Sequence, residues 1–419
     1  MTVPKFQTSP GMRDILPPES ARWRRFVGTF SDAVTAAGYG QIIPPLLEDI
    51  GVFHRVGEAT DVVTKEMYDF VDKGDRHIAL RPEQTASVCR AFVQHGPTTP
   101  WKVWYAGPNF RYERPQRGRF RQFDQVGVEV LGVEDPYLDI EVICLAWNFF
   151  AQLGLQQVAL HINSLGEPSD RERYMQALQE YFSANLETLS AASQVTLAKN
   201  PLRVLDSKRP EDQELISGAP RISDFYSPQA KAHFDTVQEG LSELGIAFVI
   251  NEKLVRGLDY YRHTTFEFVG GTLESAQNAL GGGGRYDGLV EALGGPSTAG
   301  VGFAIGLDRT LLACDDEGVF APTPEDVSVF VVDITGGKEA MLITQGLRSA
   351  GVSADRAFEG RSIKSQMKLA DRSGATVAII IGPDEVAAAT AVIRPLRSDR
   401  EQYIVSRKDL LPSITKELS

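Results

Sequence analysis

Cysteine is scarce and scattered. Cys89, Cys144 and Cys314 are the three in 419 residues, and no CxxC spacing occurs. They read as buried thiols; neither a disulfide framework nor a thiolate zinc site is expected. Histidine is nearly as sparse, with six residues and no HExxH or similar pair. A metal centre built on imidazoles is therefore not expected, and no metal ligand is assigned. No apolar run is long enough to span a bilayer, and no apolar stretch follows a basic start. A cytoplasmic chain without a membrane partner is expected. No GxxxxGK[ST] occurs, and the glycine run 281–284 fits no GxGxxG register, so neither a P-loop nor a dinucleotide fingerprint is present.

What remains is an ordinary globular composition long enough for two or three domains. The net charge of −12 argues against nonspecific coating of nucleic acid. It leaves room for a nucleic-acid partner, because binding depends on local basic patches. Basic and acidic residues balance from Glu325 onward, so the acidic excess lies before that point.

The most informative stretch is 101–130, read as two antiparallel strands around an arginine-rich loop. Trp101 to Tyr105 is aromatic and β-branched, and Pro115 and Gly118 supply a turn. Alternation then puts Val126, Val128 and Val130 on one face. It puts Arg119, Arg121, Phe123, Gln125, Gly127 and Glu129 on the other, with Gly127 leaving space for something small. A wet amphipathic hairpin would explain the pattern too. Phenylalanines among five arginines look more like a surface that stacks bases and grips phosphate.

The run Phe110-Arg111-x-Glu113-Arg114, followed by Gly118-Arg119-x-Arg121-Gln122-Phe123, resembles motif 2 of class II aminoacyl-tRNA synthetases. Gln125-x-Gly127-x-Glu129 is similar to the histidyl branch. Five further stretches point the same way. A helix from about Glu19, Gly38, and the proline-bearing strand 39–48 resemble motif 1, which implies a homodimer interface; a solvent edge strand is the plainer reading. Leu254 to Tyr261, with Arg256-Gly257-Leu258-Asp259-Tyr260-Tyr261, resembles a peptide peculiar to histidyl-tRNA synthetases. Gly281 to Gly288, expected to open a helix, matches the second histidyl signature. Val301 to Arg309 resembles motif 3, with Asp308 where glutamate is also common. The Arg81-Pro82-Glu83-Gln84-Thr85 segment precedes a helix over 86–94; Glu83 and Thr85 could simply cap it, and in the family pattern the segment meets an α-ammonium, a role compatible with the cap.

The resemblance implies an α+β fold. A class II catalytic domain over 1–320, on a mainly antiparallel sheet with a helical insertion at about 165–245, would be followed by a linker at 321–326. A small α/β anticodon-binding domain would occupy 327–419, its strands alternating with helices near 337–350, 362–373, 384–394 and 408–417 in a parallel sheet. The implied reaction is ATP-dependent ligation of L-histidine to tRNA(His) through a histidyl-adenylate, with Mg2+ on the phosphates. Arg111 and Arg256 are the implied catalytic residues, flanking the α-phosphate and the attacking carboxylate. Arg119 and Arg309 would hold outer phosphates, with Glu113 and Phe120 on adenine. Glu83, Thr85 and Gln125 would meet the ammonium, Glu129 and Tyr261 the imidazole, and Tyr260 and Tyr286 would join the histidine site. Arg114, Gln116 and Arg117 would face the tRNA acceptor end. The rival reading is a synthetase-like regulatory subunit of histidine biosynthesis, which typically lacks an intact 254–261 peptide and the C-terminal domain.

Overall fold

Valines decide how the main sheet lies. In the computed structural model, which describes residues 6–57, 60–205, 207–254, 260–273, 278–323 and 326–418, the chain divides into two units, Met1–Ala321 and Pro322–Ser419. The first is built on eight strands: β1 (Gly40–Gln41), β2 (Trp101–Phe110), β3 (Gln122–Leu131), β4 (Val158–Ser164), β5 (Phe248–Ile250), β6 (Arg262–Gly270), β7 (Ala279–Arg285) and β8 (Gly300–Gly306). Their order is β1-β2-β3-β8-β7-β6-β4-β5. Pairing is antiparallel except at the two ends, where β1 runs parallel to β2 and β5 to β4. Outside the insertion, the helices that matter for the site are α1 (Glu19–Ala36), α2 (Thr85–His95), α3 (Pro136–Gln152) and α4 (Leu307–Glu317).

Val126, Val128 and Val130 of β3 are buried in one core with Phe26 and Phe30 of α1, Phe149 and Phe150 of α3, and Phe303 and Ile305 of β8. Each buried valine is worth about 1.5 kcal/mol or more. A one-residue slip would turn all three to the wrong face, so burial fixes the register at a cost of several kcal/mol. The same register puts Tyr105, Gln125 and Glu129 on the opposite face, where the site lies.

The expected strand over 39–48 is broken. Gly40–Gln41 pairs at the sheet edge, Pro44 and Pro45 interrupt it, and Leu47–Asp49 joins a separate three-stranded sheet with Tyr68–Val71 and His77–Leu80. Gly281 to Gly284 also departs from expectation, for it lies inside β7, and only the one-turn helix Leu289–Ala292 follows. The reason is spacing: a Cβ on Gly283 would run into the Gly302 carbonyl of the neighbouring strand.

The insertion contributes helices Pro168–Ala184, Ala191–Lys199, Pro210–Ser217 and Pro228–Glu243. The first three close over their own core of Tyr174, Leu178, Phe182, Leu197 and Leu215. The last returns to the main core through Phe234, Val237 and Leu241. Its His233 Nε2 lies 2.8 Å from Asp139 Oδ2, which also accepts from Thr264 Oγ1 at 2.7 Å. Arg285 Nε meets Asp139 Oδ1 at 2.8 Å, and both side chains are essentially buried. Insertion, α3, β6 and β7 thus converge on one carboxylate.

The second unit carries β9 (Val329–Asp333), β10 (Ala354–Arg356), β11 (Val377–Ile381), β12 (Thr390–Pro395) and β13 (Tyr403–Ser406), in the order β10-β9-β11-β12-β13. The first three are parallel; β12 and β13 are antiparallel, so the sheet is mixed rather than all parallel. The helix expected over 384–394 is only Pro383–Ala387. Ala389, at φ +52, ends it, and Ala391 and Ile393 are buried as strand residues. An alanine run favours helix, but the β-branched residues after it fill a sheet position. Among the described residues no helix is long and apolar enough to cross a membrane.

Arg285→Met should cost about 3–5 kcal/mol, because it strands a buried carboxylate. Urea unfolding measures this, and a loss under 1 kcal/mol would mean that Asp139 is satisfied without the guanidinium.

Candidate active site

One cavity gathers the site-face side chains of β2, β3, β7 and β8, the start of α2 and the first turn of α4. Glu83, Thr85, Arg111, Glu113, Arg119, Phe120, Gln125, Glu129, Tyr260, Tyr261, Tyr286 and Arg309 all line it. Arg256 lies outside the described residues. Arg114, Gln116 and Arg117 do not join it; they are exposed at the hairpin tip, where Gln116 and Arg119 exchange backbone hydrogen bonds of 3.0 and 2.9 Å. Arg121 leaves the face that alternation suggested. Strand pairing begins only at Gln122, and the Arg121 guanidinium lies 3.8 Å from the Tyr112 ring centroid.

At one end stands Glu129, 1 % exposed. Its Oε1 accepts from Thr85 Oγ1 at 2.7 Å and Tyr105 OH at 3.2 Å, and its Oε2 from Tyr286 OH at 2.6 Å. Burial pushes its pKa up to about 8; the hydroxyls oppose that shift and nearby Glu83 adds to it. Burial also holds the Tyr105, Tyr260 and Tyr286 phenols well above their ordinary value, so they stay protonated donors. Tyr260 packs on Tyr261 at 4.6 Å and on Tyr286 at 5.8 Å between ring centroids.

Sequence reasoning left space at Gly127. The structure fills it with Tyr105, directly opposite across the β2–β3 ladder; a Cβ on Gly127 would lie 2.5 Å from the phenol oxygen. Tyr105 is a cavity-lining residue that sequence reasoning missed. Its signal was its place in the alternation of 101–105, one strand away. Gly302 was missed as well: it is opposite Glu129, and a Cβ there would run into Oε2.

Glu83 is next along the cavity, taking Thr85 N–H at 2.6 Å and Ala86 N–H at 2.9 Å. It therefore does cap the first turn of α2, with one lone pair left on each oxygen. Burial raises its pKa against those two bonds and Arg111. Gln125 Oε1 accepts from Asn109 Nδ2 at 2.8 Å. Arg111 follows, its Nε on Pro82 O at 2.9 Å. Arg119 Nε contacts Glu113 Oε2, and Arg111 Nη1 lies 4.0 Å from Glu113 Oε1. Arg309 reaches Ala279 O at 3.2 Å; burial first, then the charges of Arg119 and Arg111, bear against its own positive charge. Asp124 also lines the cavity, pushed up to about 6 by burial and by Asp308. The cavity is therefore short of positive charge around Glu83 and Glu129, and crowded with it around Arg309.

Comparison with known proteins gives the same direction. The family profile described as histidyl-tRNA synthetase matches residues 11–310, most of the chain. The chain belongs to the histidyl-tRNA synthetase family. A second profile, described as an anticodon binding domain, matches residues 326–417. The histidine–tRNA ligase of Rhodococcus erythropolis is 47 % identical over 405 residues, 95 % of each chain. The apo histidyl-tRNA synthetase of S. aureus superposes with a TM-score of 0.83 at 35 % identity, over 98 % of this chain and 100 % of that one. A Bacillus halodurans protein described as an ATP phosphoribosyltransferase regulatory subunit/histidyl-tRNA synthetase shares the fold, with a TM-score of 0.66 at 20 % identity, over 91 % of this chain and 100 % of that one. As a class II synthetase, the chain uses ATP.

Glu129 should weigh on stability through pH. Its folded pKa, about 8, lies above the ordinary 4.5, so its contribution is full below about 4.5 and lost as pH rises to about 8. Glu129→Gln, which cannot ionise, should flatten the fall in Tm between pH 5 and 8. Parallel curves for the two proteins would contradict the shift.

Proposed function

We propose that this cavity ligates L-histidine to tRNA(His) by way of a histidyl-adenylate. The observation that carries the reading is a buried carboxylate ringed by three hydroxyls, in the same cavity as three arginines.

Histidine brings an ammonium, an imidazole and a carboxylate. The ammonium goes to Glu83, Thr85 and Gln125: the Thr85 proton is committed to Glu129, yet its oxygen still accepts, as do the free lone pairs of Glu83 and Gln125. The imidazole goes to Glu129 and Tyr261, with Tyr260 and Tyr286 packed beside them. A pocket that must hydrogen-bond its substrate rejects analogues lacking those groups by ~10⁴ or more.

Adenylation brings one anion onto another, so positive charge must lie where charge builds up. Arg111 sits between Glu83 and Glu113, suited to bridge the attacking carboxylate and the α-phosphate; Arg256 shares that role in this reading. Arg119 and Arg309 take the outer phosphates, which relieve the like-charge pressure on Arg309. Phe120 stacks on adenine and Glu113 meets its amino edge. No general base is required, because the nucleophile is already a carboxylate; positioning does the rest. Among the described residues no group of three or more His, Cys, Asp or Glu side chains could hold a metal ion. Mg2+ is expected on the phosphates of ATP, and no step here runs through protein ligands to it.

The exposed Arg114, Gln116 and Arg117 face the tRNA acceptor end, and the C-terminal unit takes the anticodon. A second copy of the chain covers the edge beyond β1, where Ile43 is 79 % exposed and Leu46 is exposed as well. ATP–pyrophosphate exchange with each amino acid in turn tests the assignment: histidine alone should support it, and exchange with another amino acid would overturn it. In the same assay Glu129→Ala should raise the histidine KM by about 100-fold and the ATP KM by less than about threefold. Equal effects on both would mean that the imidazole lies elsewhere.

A further inference from the structure

The segment ahead of α1 passes back across the arginine-rich hairpin. Met12 N–H closes a turn on Ser9 O at 3.0 Å, and Gly11 O accepts the Arg121 N–H at 2.8 Å. Gly11 has φ +80, and a Cβ there would meet Arg121 Cγ at 2.7 Å. The turn therefore requires glycine and clamps this segment onto the hairpin. It delivers Arg13 between the hairpin and α4. Arg13 Nη2 donates to Asp308 Oδ1 at 2.5 Å, and its Cζ lies 4.3 Å from the Phe120 ring centroid. Trp23 of α1 is behind it, with Cζ 6.0 Å from that ring.

Phe120 and Asp308 line the cavity, whereas Arg13 is not among its lining residues. Any effect of Arg13 on a ligand therefore passes through those two. Asp308 is 7 % exposed in its side chain and has Asp124 as a carboxylate neighbour. Arg13 supplies the strongest counterweight to its burial. Asp308 also precedes Arg309 in the first turn of α4, so what fixes one carries to the other. A guanidinium over an aromatic ring adds ~0.5–2 kcal/mol and restrains the plane of the ring.

We infer that Arg13 is a positioning residue for the nucleotide: it ties Phe120 of the hairpin to Asp308 of α4, setting the stacking ring and the Arg309 turn relative to each other before ATP binds. The inference rests on the reading that Phe120 stacks on adenine.

Pyrophosphate-exchange kinetics on the full chain test it. Arg13→Met should raise the ATP KM about five- to thirtyfold, with the histidine KM within about twofold of the parent. Arg13→Lys keeps the charge without a flat guanidinium and should lie between, at about two- to fivefold; it also serves if the methionine variant does not fold. In a Phe120→Leu background, Arg13→Met should add little further, since its route to ATP is already cut. An unchanged ATP KM in Arg13→Met and Arg13→Lys, or an equal rise in both substrates' KM values, would overturn the inference and leave the adenine reading standing. Phe120→Leu with a normal ATP KM would overturn the adenine reading itself, and this inference with it.

Discussion

A carboxylate with almost no water around it governs the first unit. Glu129 is buried at the level of core valines, on the opposite face of the same strand, and three hydroxyls satisfy it. Burying a carboxylate is costly unless every lone pair is accounted for. Three elements supply those partners and are tied to β3 through Glu129: α2 by Thr85, β2 by Tyr105, and the turn after β7 by Tyr286. Glycine at 127 and 302 admits the phenol and the carboxylate where side chains would collide. In the proposed reading, the fold and the recognition of a polar substrate rest on the same hydrogen bonds.

Charge in the cavity is graded rather than uniform. Around Glu83 and Glu129, burial works against negative charge; around Arg309, burial and neighbouring guanidiniums work against positive charge. In the proposed reading each region is relieved by a group of opposite sign, an ammonium in the first and phosphates in the second. Arg111 lines the same cavity, and the proposed reading has the attacking carboxylate and the α-phosphate meet there. Catalysis by placement needs this gradient more than it needs a proton acceptor.

Much of this is legible in the sequence. Alternation across 122–131 placed Glu129 and Gln125 on one face because a strand buried on its valine side leaves no other choice. Arg309, Asp308 and the Glu83 cap follow from a strand-to-helix turn and a short segment ahead of a helix. What escaped were facts that depend on cross-strand register. Tyr105 opposite Gly127 and Gly302 opposite Glu129 are separated in sequence by a loop and by most of the domain. Local propensity misled at the alanine run 387–389 and at the glycine run 281–284, where tertiary spacing prevailed. Arg13 is 295 residues from its partner Asp308, and no periodicity could have joined them.

The most direct trial of the account is a crystal structure of the chain with histidine and an uncleavable ATP analogue. The imidazole should lie within hydrogen-bonding distance, about 2.6–3.2 Å, of the Glu129 carboxylate, with Arg111 and Arg309 on phosphate oxygens. An imidazole seated away from Glu129, or those two guanidiniums turned into bulk water, would contradict it.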